Sequence, residues 1–336
     1  MSLRDRFSAL EAHLNRQVIG QPDLNRKLLI ALLADGHLLV EGAPGLAKTR
    51  AVKALAEAIE ADFHRVQFTP DLLPADLTGT EIYRPQDGSF VFQRGPLFHH
   101  LLLADEINRA PAKVQSALLE AMAERQITVG GETYALPRLF LVMATQNPIE
   151  QEGTYPLPEA QLDRFLLHVK VSYPDADSEL AILRLARGEA QQQVPYRDVP
   201  MPRAQDAQER PPAVIERMSQ HDIFAARDDV LALYMAPEVE RYIVELVLAT
   251  RSSARYSADL SRWIAYGASP RATIALDRCA RAQAWLSGRD FVSPDDVQHV
   301  LADVLRHRLL LSYEAEAESI DAEHVVARLM TLVAAP

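Results

Sequence analysis

Short apolar runs alternate with helical stretches along the first half of the chain. Five runs have the length and composition of buried strands: 38–40, 66–68, 101–104, 139–143 and 166–169. Residues 2–34 have helical periodicity that breaks near Gly20, Gln21 and Pro22, and an alanine-rich helix is predicted at 48–61. Because short apolar strands alternating with helices are typical of parallel sheets, we expect an α/β fold with helices on both faces of the sheet.

Two stretches interrupt this alternation and predict hairpins. Residues 78–96 alternate apolar and polar positions around an Asp87-Gly88 turn. Residues 126–136 do the same around the pair Gly130 and Gly131. Glycine-containing turns between alternating segments favour antiparallel hairpins, so both stretches are predicted to be inserts in the α/β domain.

The strand signal ends near residue 175. Residues 189–213 are rich in Gln, Pro and Arg, which is typical of an exposed connection. Helical periodicity dominates from Pro237 onward, and Ser293 followed by Pro294 has the pattern of a helix start. The 336 residues exceed a usual single domain. We therefore predict an α/β domain at 1–175, a linker or helical insert at 176–235, and an all-helical lid domain at 236–336.

Composition and charge narrow the function classes. The net charge is −11 and only five residues are lysines, which argues against a protein that coats nucleic acid through its overall field. The one cysteine, Cys279, cannot form a disulfide within the chain, which suits a reducing compartment. The N-terminus is charged, and no apolar run approaches the roughly 20 residues that span a bilayer. We expect a cytoplasmic protein without a membrane anchor.

The strongest chemical signal is a glycine-rich loop between the first strand and the following helix. It consists of Gly42, Ala43, Pro44, Gly45, Leu46, Ala47, Lys48 and Thr49, the phosphate loop. Backbone N–H groups of such a loop and the helix N-terminus bind phosphates, while Lys48 neutralises them and the Thr49 hydroxyl ligates Mg²⁺. Ala47 stands where this pattern expects glycine. The loop is unstrained if Ala47 begins the helix, and strained if it needs a positive φ.

Adjacent carboxylates follow the third predicted strand. Asp105 and Glu106 would lie at the carboxyl edge of the sheet, beside the phosphate loop. In ATP hydrolysis, Asp105 would hold the Mg²⁺ shell and Glu106 would polarise the attacking water. An Asp-Glu pair after a strand is common by itself, but together with the phosphate loop it is specific.

Three further residues are candidates with weaker signals. Asn147 follows the fourth predicted strand and could bind the γ-phosphate or the water, although Asn-Pro also forms simple turns. Arg164 precedes the fifth strand and could stabilise transition-state charge across a subunit boundary, or it could be a surface partner of Asp163. Arg271 opens a helix of the second domain, where it could contact phosphates or be solvated.

In order along the chain, these motifs resemble the MoxR family of AAA+ ATPases, and the resemblance covers nearly the whole chain. The matching stretches are 18–21, the phosphate loop including its alanine, 68–74, 105–109, 144–148 and 162–165. The resemblance implies that Val18, Ile19, Gly20 and Gln21 lie near adenine. It also implies that Asn147 is a first sensor, that Arg164 is a finger donated to a neighbour, and that Arg271 is a second sensor acting within its own subunit or on a neighbour.

The family resemblance further implies an ATP- and Mg²⁺-dependent motor that forms a homo-oligomeric, hexameric ring. Its hairpins would face the ring pore, and its partner would be a protein client such as one with a von Willebrand factor A domain.

Three other functions stay open at this point. The first is a nucleic-acid motor. Against it, residues 126–136 contain no Lys or Arg, and the first hairpin offers only Arg84 and Arg94, so nucleic acid is disfavoured as a partner. The second is a nucleotide-gated scaffold, which the presence of both Glu106 and Arg164 disfavours. The third is a chelatase-type motor subunit.

Overall fold

The computed structural model describes residues 1–43, 45–86, 88–148, 153–192 and 216–336. Pro44 of the phosphate loop, Asp87 of the first predicted turn and residues 193–213 of the predicted connection lie outside these ranges. The larger helices are α1 (Leu3–Gln17), α2 (Pro22–Leu33), α3 (Lys48–Ala58), α5 (Ala112–Glu124), α7 (Ala176–Gln192), α8 (Gln220–Leu231), α9 (Pro237–Arg251), α11 (Pro270–Leu286), α12 (Pro294–Leu305) and α14 (Ala322–Leu332). Short helices are α4 (Pro74–Thr78), α6 (Glu159–Leu162), α10 (Ala258–Trp263) and α13 (Tyr313–Ala317).

A five-stranded parallel sheet forms the centre of the first half. Its strands are β1 (Leu38–Glu41), β2 (Phe63–Gln67), β5 (Leu101–Asp105), β8 (Leu141–Gln146) and β9 (Leu167–Lys170), in the spatial order β2-β5-β8-β1-β9. All four pairings are parallel, as the alternation of strands and helices predicts. The carboxyl ends of the strands therefore lie at one edge of the sheet, and their amino ends lie at the other.

Helices cover both faces of this sheet. Successive side chains of a strand point to opposite faces, and the core is divided accordingly. Leu38 and Val40 of β1 belong to a large cluster that includes α1, α2 and the second half of the chain. Leu39 belongs to a separate cluster with α5. The central strands are buried on both faces, which explains their continuous apolar sequences.

Both hairpins are present as inserts in the first half. The first hairpin consists of β3 (Gly79–Arg84) and β4 (Ser89–Arg94), and the second of β6 (Gln126–Val129) and β7 (Glu132–Ala135). The rings of Phe92 and Tyr134 stack with centroids 4.3 Å apart, so the two hairpins contact each other.

The second half is helical, and the structure adds four short strands that the apolar pattern does not predict. β10 (Tyr234–Met235) pairs with β12 (Phe291–Val292), and β11 (Ile264–Tyr266) pairs with β13 (Leu310–Leu311). Helix α12 begins at the predicted Ser293-Pro294 step, where the Ser293 hydroxyl donates a hydrogen bond of 2.8 Å to Asp296. The helical half rests on the first half through α11 against α2 and α12 against β9.

Candidate nucleotide site

The phosphate loop connects β1 to α3, at the carboxyl edge of the sheet. At Gly42 a Cβ atom would come within 2.8 Å of the Val171 carbonyl oxygen, so no larger residue fits there. Gly45 has a φ of +83°, a left-handed conformation that glycine adopts readily. The Lys48 ammonium donates a hydrogen bond of 2.6 Å to the Gly42 carbonyl. The lysine side chain is thus held against the beginning of the same loop.

Ala47 precedes α3 with φ +56° and ψ 17°, which is left-handed. Of the two alternatives that the sequence leaves open, the structure has the strained one. A left-handed conformation costs an L-residue with a Cβ roughly 1–2 kcal/mol. This strain lies beside the lysine that the phosphates would meet, where stored strain is commonly found in functional sites.

The two carboxylates end β5 at the same edge of the sheet. Thr145 of the neighbouring strand β8 organises both residues, because its hydroxyl donates to Asp105 (2.6 Å) and accepts the backbone N–H of Glu106 (2.9 Å). Glu106 itself has a left-handed backbone, with φ +57°. Its side chain therefore leaves the line of the strand and enters the cavity next to the phosphate loop.

Three residues that the sequence does not single out hold these carboxylates. Arg65 of β2 forms an ion pair of 2.6 Å with Asp105. Gln67, two residues later, donates a hydrogen bond of 2.7 Å to Glu106, and Arg109 approaches the same carboxylate oxygen at 3.1 Å. Arg109 stands in a stretch that resembles the family. Arg65 and Gln67 can be recognised as site residues only once β2 is known to pair with β5.

A cavity of about 370 Å³ brings most of the predicted residues together. It is lined by Gly45, Leu46, Ala47, Lys48, Thr49, Arg50, Arg65, Gln67, Asp105, Glu106 and Asn147. Burial lowers the pKa of Lys48, while Asp105 and Glu106 oppose that shift by stabilising its charge. Carboxylate and hydroxyl oxygens are the ligands that Mg²⁺ prefers. The carboxylate of Asp105 and the hydroxyl of Thr49 line one cavity, so the donor set fits this ion.

The stretch 18–21 lies close to the phosphate loop. Val18 is buried, and the Gln21 amide donates a hydrogen bond of 2.9 Å to the Ser172 carbonyl. A Cβ at Gly20 would come within 2.8 Å of Pro174. Because Gly42 packs on Val171, the phosphate loop and 18–21 share the segment that follows β9 as a common wall.

The structure does not bring Arg164 and Arg271 to their own phosphate loop. Both line a second cavity of about 350 Å³, together with Gly36 and His37, which precede β1. This cavity lies at the amino edge of the sheet. Each strand rises roughly 3.3 Å per residue, so the length of β1 separates it from the phosphate loop.

Contacts in this second cavity also show whether Asp163 and Arg164 form an ion pair with each other. Asp163 does not pair with its neighbour Arg164. It accepts from Arg308 at 2.8 Å, and Arg271 approaches it at 3.5 Å. The Arg164 guanidinium donates instead to the Leu119 carbonyl at 3.1 Å.

A strand–loop–helix phosphate site beside a carboxylate pair, on this five-stranded sheet with a helical lid, defines an ATPase of the AAA class. Residues 37–167 match the model of the ATPase family associated with various cellular activities, and residues 256–329 match an AAA lid domain.

Proteins similar to this chain narrow the class further. The chaperone MoxR1 of Mycobacterium tuberculosis is 44% identical over 96% of this chain and 80% of its own length. A protein MoxR of Paracoccus denitrificans is 36% identical over 94% of this chain and 92% of its own length. A crystal structure of a candidate ATPase from Cytophaga hutchinsonii superposes with a TM-score of 0.85 at 42% identity, over 99% of this chain and 96% of that one. The chain belongs to the MoxR family of AAA+ ATPases, and it binds and hydrolyses ATP.

None of the helices in the described ranges combines the length and apolar character that a bilayer-spanning segment needs.

Proposed function

We propose that the chain is a Mg²⁺-dependent motor that works as a homo-oligomeric ring, with six subunits as in the family resemblance, and remodels a protein client. The observation that supports the ring is the position of the arginines. Arg164 and Arg271 lie at the amino edge of the sheet and the phosphate loop lies at the carboxyl edge. Within one chain the two arginines and the phosphate loop therefore lie apart, which supports a nucleotide site that an adjacent chain completes.

In the proposed site each residue has a distinct task. Lys48 and the loop N–H groups bind the phosphates, and Thr49 and Asp105 hold the metal. When bound, Mg²⁺ neutralises charge on the phosphate oxygens. Glu106 polarises the attacking water, and Asn147, buried at the end of β8, binds the γ-phosphate or that water. Arg65 forms an ion pair with Asp105 and so holds that carboxylate in place beside the phosphate loop.

Arg164 and Arg271 supply charge to the site of the neighbouring chain. An arginine that reaches a phosphoryl-transfer site in trans is worth roughly 10³–10⁵ in turnover. The side chain of Arg271 is 58% exposed and its contact to Asp163 is long, so it is available to an incoming anion. We therefore assign Arg271 to the neighbour's nucleotide and not to its own.

The first hairpin supports a protein client. Tyr83 and Phe90 at its end are 53% and 66% exposed, and Ile82 beside them is 45% exposed. Exposed apolar groups of this kind are typical of surfaces that contact proteins. A client with a von Willebrand factor A domain is proposed on the family resemblance alone.

The deciding experiment measures ATP turnover per chain, with Mg²⁺, over a wide range of protein concentration. We expect turnover to rise steeply and then saturate, because the site is completed between chains. Glu106→Gln should keep ATP binding and lose turnover. A turnover per chain that stays constant while sedimentation shows dissociation into monomers would contradict the shared site. Parental turnover in Glu106→Gln would contradict the catalytic assignment.

A helicase-like motor remains the competing function, and DNA retention separates the two. We expect little retention at low salt, because the second hairpin has no basic residue. Strong retention that disappears at high salt would favour the nucleic-acid motor.

A further inference from the structure

The cavity at the amino edge of the sheet, called the arginine cavity below, carries an excess of positive charge. Its charged lining residues are Arg125, Arg164, Arg271, Arg278 and Arg308, with Asp35 and Asp163. Five guanidinium groups face two carboxylates there, on a chain whose net charge is −11. Like charges placed together repel one another. Such an arrangement is therefore typical of a surface that receives an anion.

Two of the five arginines are occupied by structural contacts. Arg308 is 3% exposed, pairs with Asp163 at 2.8 Å and donates to the Phe165 carbonyl at 2.6 Å. Arg125 pairs with Asp35 at 2.8 Å and donates to the Arg138 carbonyl at 3.1 Å. These contacts fix the walls of the cavity, so neither guanidinium is available without disrupting it.

Arg278 differs from both. Its side chain is exposed, and within the ranges that the structure describes it has no hydrogen bond and no ion pair. It also lines the adjoining cavity of about 230 Å³ on the α8 side, so it stands where the two cavities meet. Neither Arg164 nor Arg271 lines this adjoining cavity. Asp35 and Asp228 line the adjoining cavity as well, but Asp35 is paired with Arg125 and Arg227, and neither carboxylate forms an ion pair with Arg278.

The position of Arg278 on α11 relates it to Arg271. The two residues are seven positions apart, which is two helical turns, so they lie on the same face of the helix and about 10 Å apart along its axis. Ala275, between them, is buried and also lines the arginine cavity. Helix α11 thus presents two arginines to one cavity, with Ala275 and the exposed Ile274 between them.

We infer that Arg278 is a third cation that each chain donates to its neighbour's ATP, alongside Arg164 and Arg271, and that it contacts phosphate oxygens. This inference rests on the proposed function, since it requires the nucleotide of an adjacent chain to face the arginine cavity. A guanidinium can bind phosphate oxygens through two parallel N–H groups, which a lysine cannot reproduce. The contact would strengthen as charge develops during phosphoryl transfer.

The first test compares Arg278→Ala with Arg241→Ala. Arg241, on the adjacent lid helix α9, is also exposed and lines neither cavity, so its removal changes net charge equally. We expect Arg278→Ala to lower saturated turnover about 10- to 100-fold, the effect of losing one hydrogen bond to a charged group. Arg241→Ala should keep parental turnover. Arg278→Lys should recover only part of the loss. Parental turnover in Arg278→Ala would show a solvated surface arginine and overturn the inference.

The second test asks in which chain Arg278 acts. Glu106→Gln chains lack turnover at their own site but keep an intact arginine cavity. Mixed with Arg278→Ala chains, they should restore turnover well above the sum of the two separate variants, because an intact cavity then faces an intact site. The same mixture with Arg164→Ala chains tests the ring itself.

The outcomes of these two mixtures are distinguishable. Recovery in both mixtures supports the inference. Recovery with Arg164→Ala chains but not with Arg278→Ala chains leaves the ring standing and overturns the role of Arg278 in trans. Absence of recovery in both mixtures, with hetero-oligomers demonstrated by pull-down of a tagged chain, overturns the shared site and the inference with it.

Discussion

The residue at the end of the phosphate loop shows how local backbone geometry bears on the site. Ala47 adopts φ +56°, although the sequence allows a relaxed helical start as well. No pattern of neighbours decides between these two conformations, because the choice depends on how the loop closes from Gly42 to Lys48. The motif itself, by contrast, was predictable, since glycines at fixed spacing before a lysine have few other uses.

Ala47→Gly tests this strain. Glycine removes the cost of the left-handed conformation, roughly 1–2 kcal/mol. Its greater conformational freedom in the unfolded chain destabilises the folded state by about 0.5–1 kcal/mol. We expect the free energy of unfolding, measured by urea denaturation, to rise by about 0.5–1 kcal/mol. Ala54→Gly in the interior of α3 is the matched control and should lose about 1 kcal/mol. A loss in Ala47→Gly as large as that of the control would mean that Ala47 is helical.

At the scale of elements, three of the five strands of the parallel sheet were predicted closely. β1, β5 and β9 lie within about one residue of their apolar runs. β2 begins three residues before its run, at Phe63, because only Val66 of its five residues is buried and the strand therefore lacks a continuous apolar sequence. β8 extends past its apolar run through Thr145 and Gln146, which pair with β1.

The same reasoning explains which site residues the sequence missed. Arg65 and Gln67 lie on the edge strand, and their contacts with Asp105 and Glu106 follow from the order of strands, which hydrophobic periodicity does not contain. The pairing of Asp163 with Arg308 likewise joins residues far apart in sequence. The contacts of Arg65, Gln67 and Arg308 therefore depend on the tertiary structure and not on the local sequence pattern.

Helices α2 and α12 connect the two halves of the molecule through a buried ion pair. Lys27 of α2 is 4% exposed, and its ammonium contacts Asp303 of α12 at 2.8 Å and the His299 carbonyl at 2.8 Å. Removing Asp303 takes the close carboxylate from Lys27 and also the ion pair from Arg306, and breaking a buried ion pair costs about 3–5 kcal/mol. We therefore expect Asp303→Leu to lower the free energy of unfolding by that amount in denaturant titration.

A second carboxylate near the same ammonium provides the control. Asp23 lies 4.0 Å from the Lys27 ammonium, but its side chain is 71% exposed. Asp23→Asn should cost less than about 1 kcal/mol, as exposed ion pairs do. If Asp23→Asn and Asp303→Leu lowered the free energy of unfolding equally, burial would not be the reason for the stabilising effect of the Lys27–Asp303 pair.

For the whole molecule, a buried histidine predicts how stability depends on pH. His37 accepts a hydrogen bond from the Val142 N–H at 3.1 Å and its other ring nitrogen lies 3.3 Å from the Met122 carbonyl. Burial, assisted by Arg125, lowers the pKa of His37 to about 4. In the unfolded chain this histidine has a pKa of about 6.5, so between pH 6.5 and 4 the unfolded chain binds a proton that the folded chain does not bind. Stability from this group is complete above pH 6.5 and falls as the pH drops towards 4.

His37→Gln should flatten that dependence. Each such histidine contributes a slope of at most about 1.4 kcal/mol per pH unit. The variant's free energy of unfolding should therefore change less steeply between pH 6.5 and 4, whatever its absolute stability. His307, whose pKa burial also lowers, keeps part of the slope. An unchanged slope in His37→Gln would contradict a neutral buried imidazole.

The separation of the phosphate loop and the arginine cavity across one sheet has a consequence for inheritance. If sites are shared as proposed, a chain with a damaged arginine cavity keeps its own nucleotide site and disables the one beside it. Where altered and normal copies are made together, most assemblies then contain at least one impaired junction. Such alleles would act dominantly, in proportion to their dose, and their harm would be greatest for substitutions that leave the chain well folded and able to assemble.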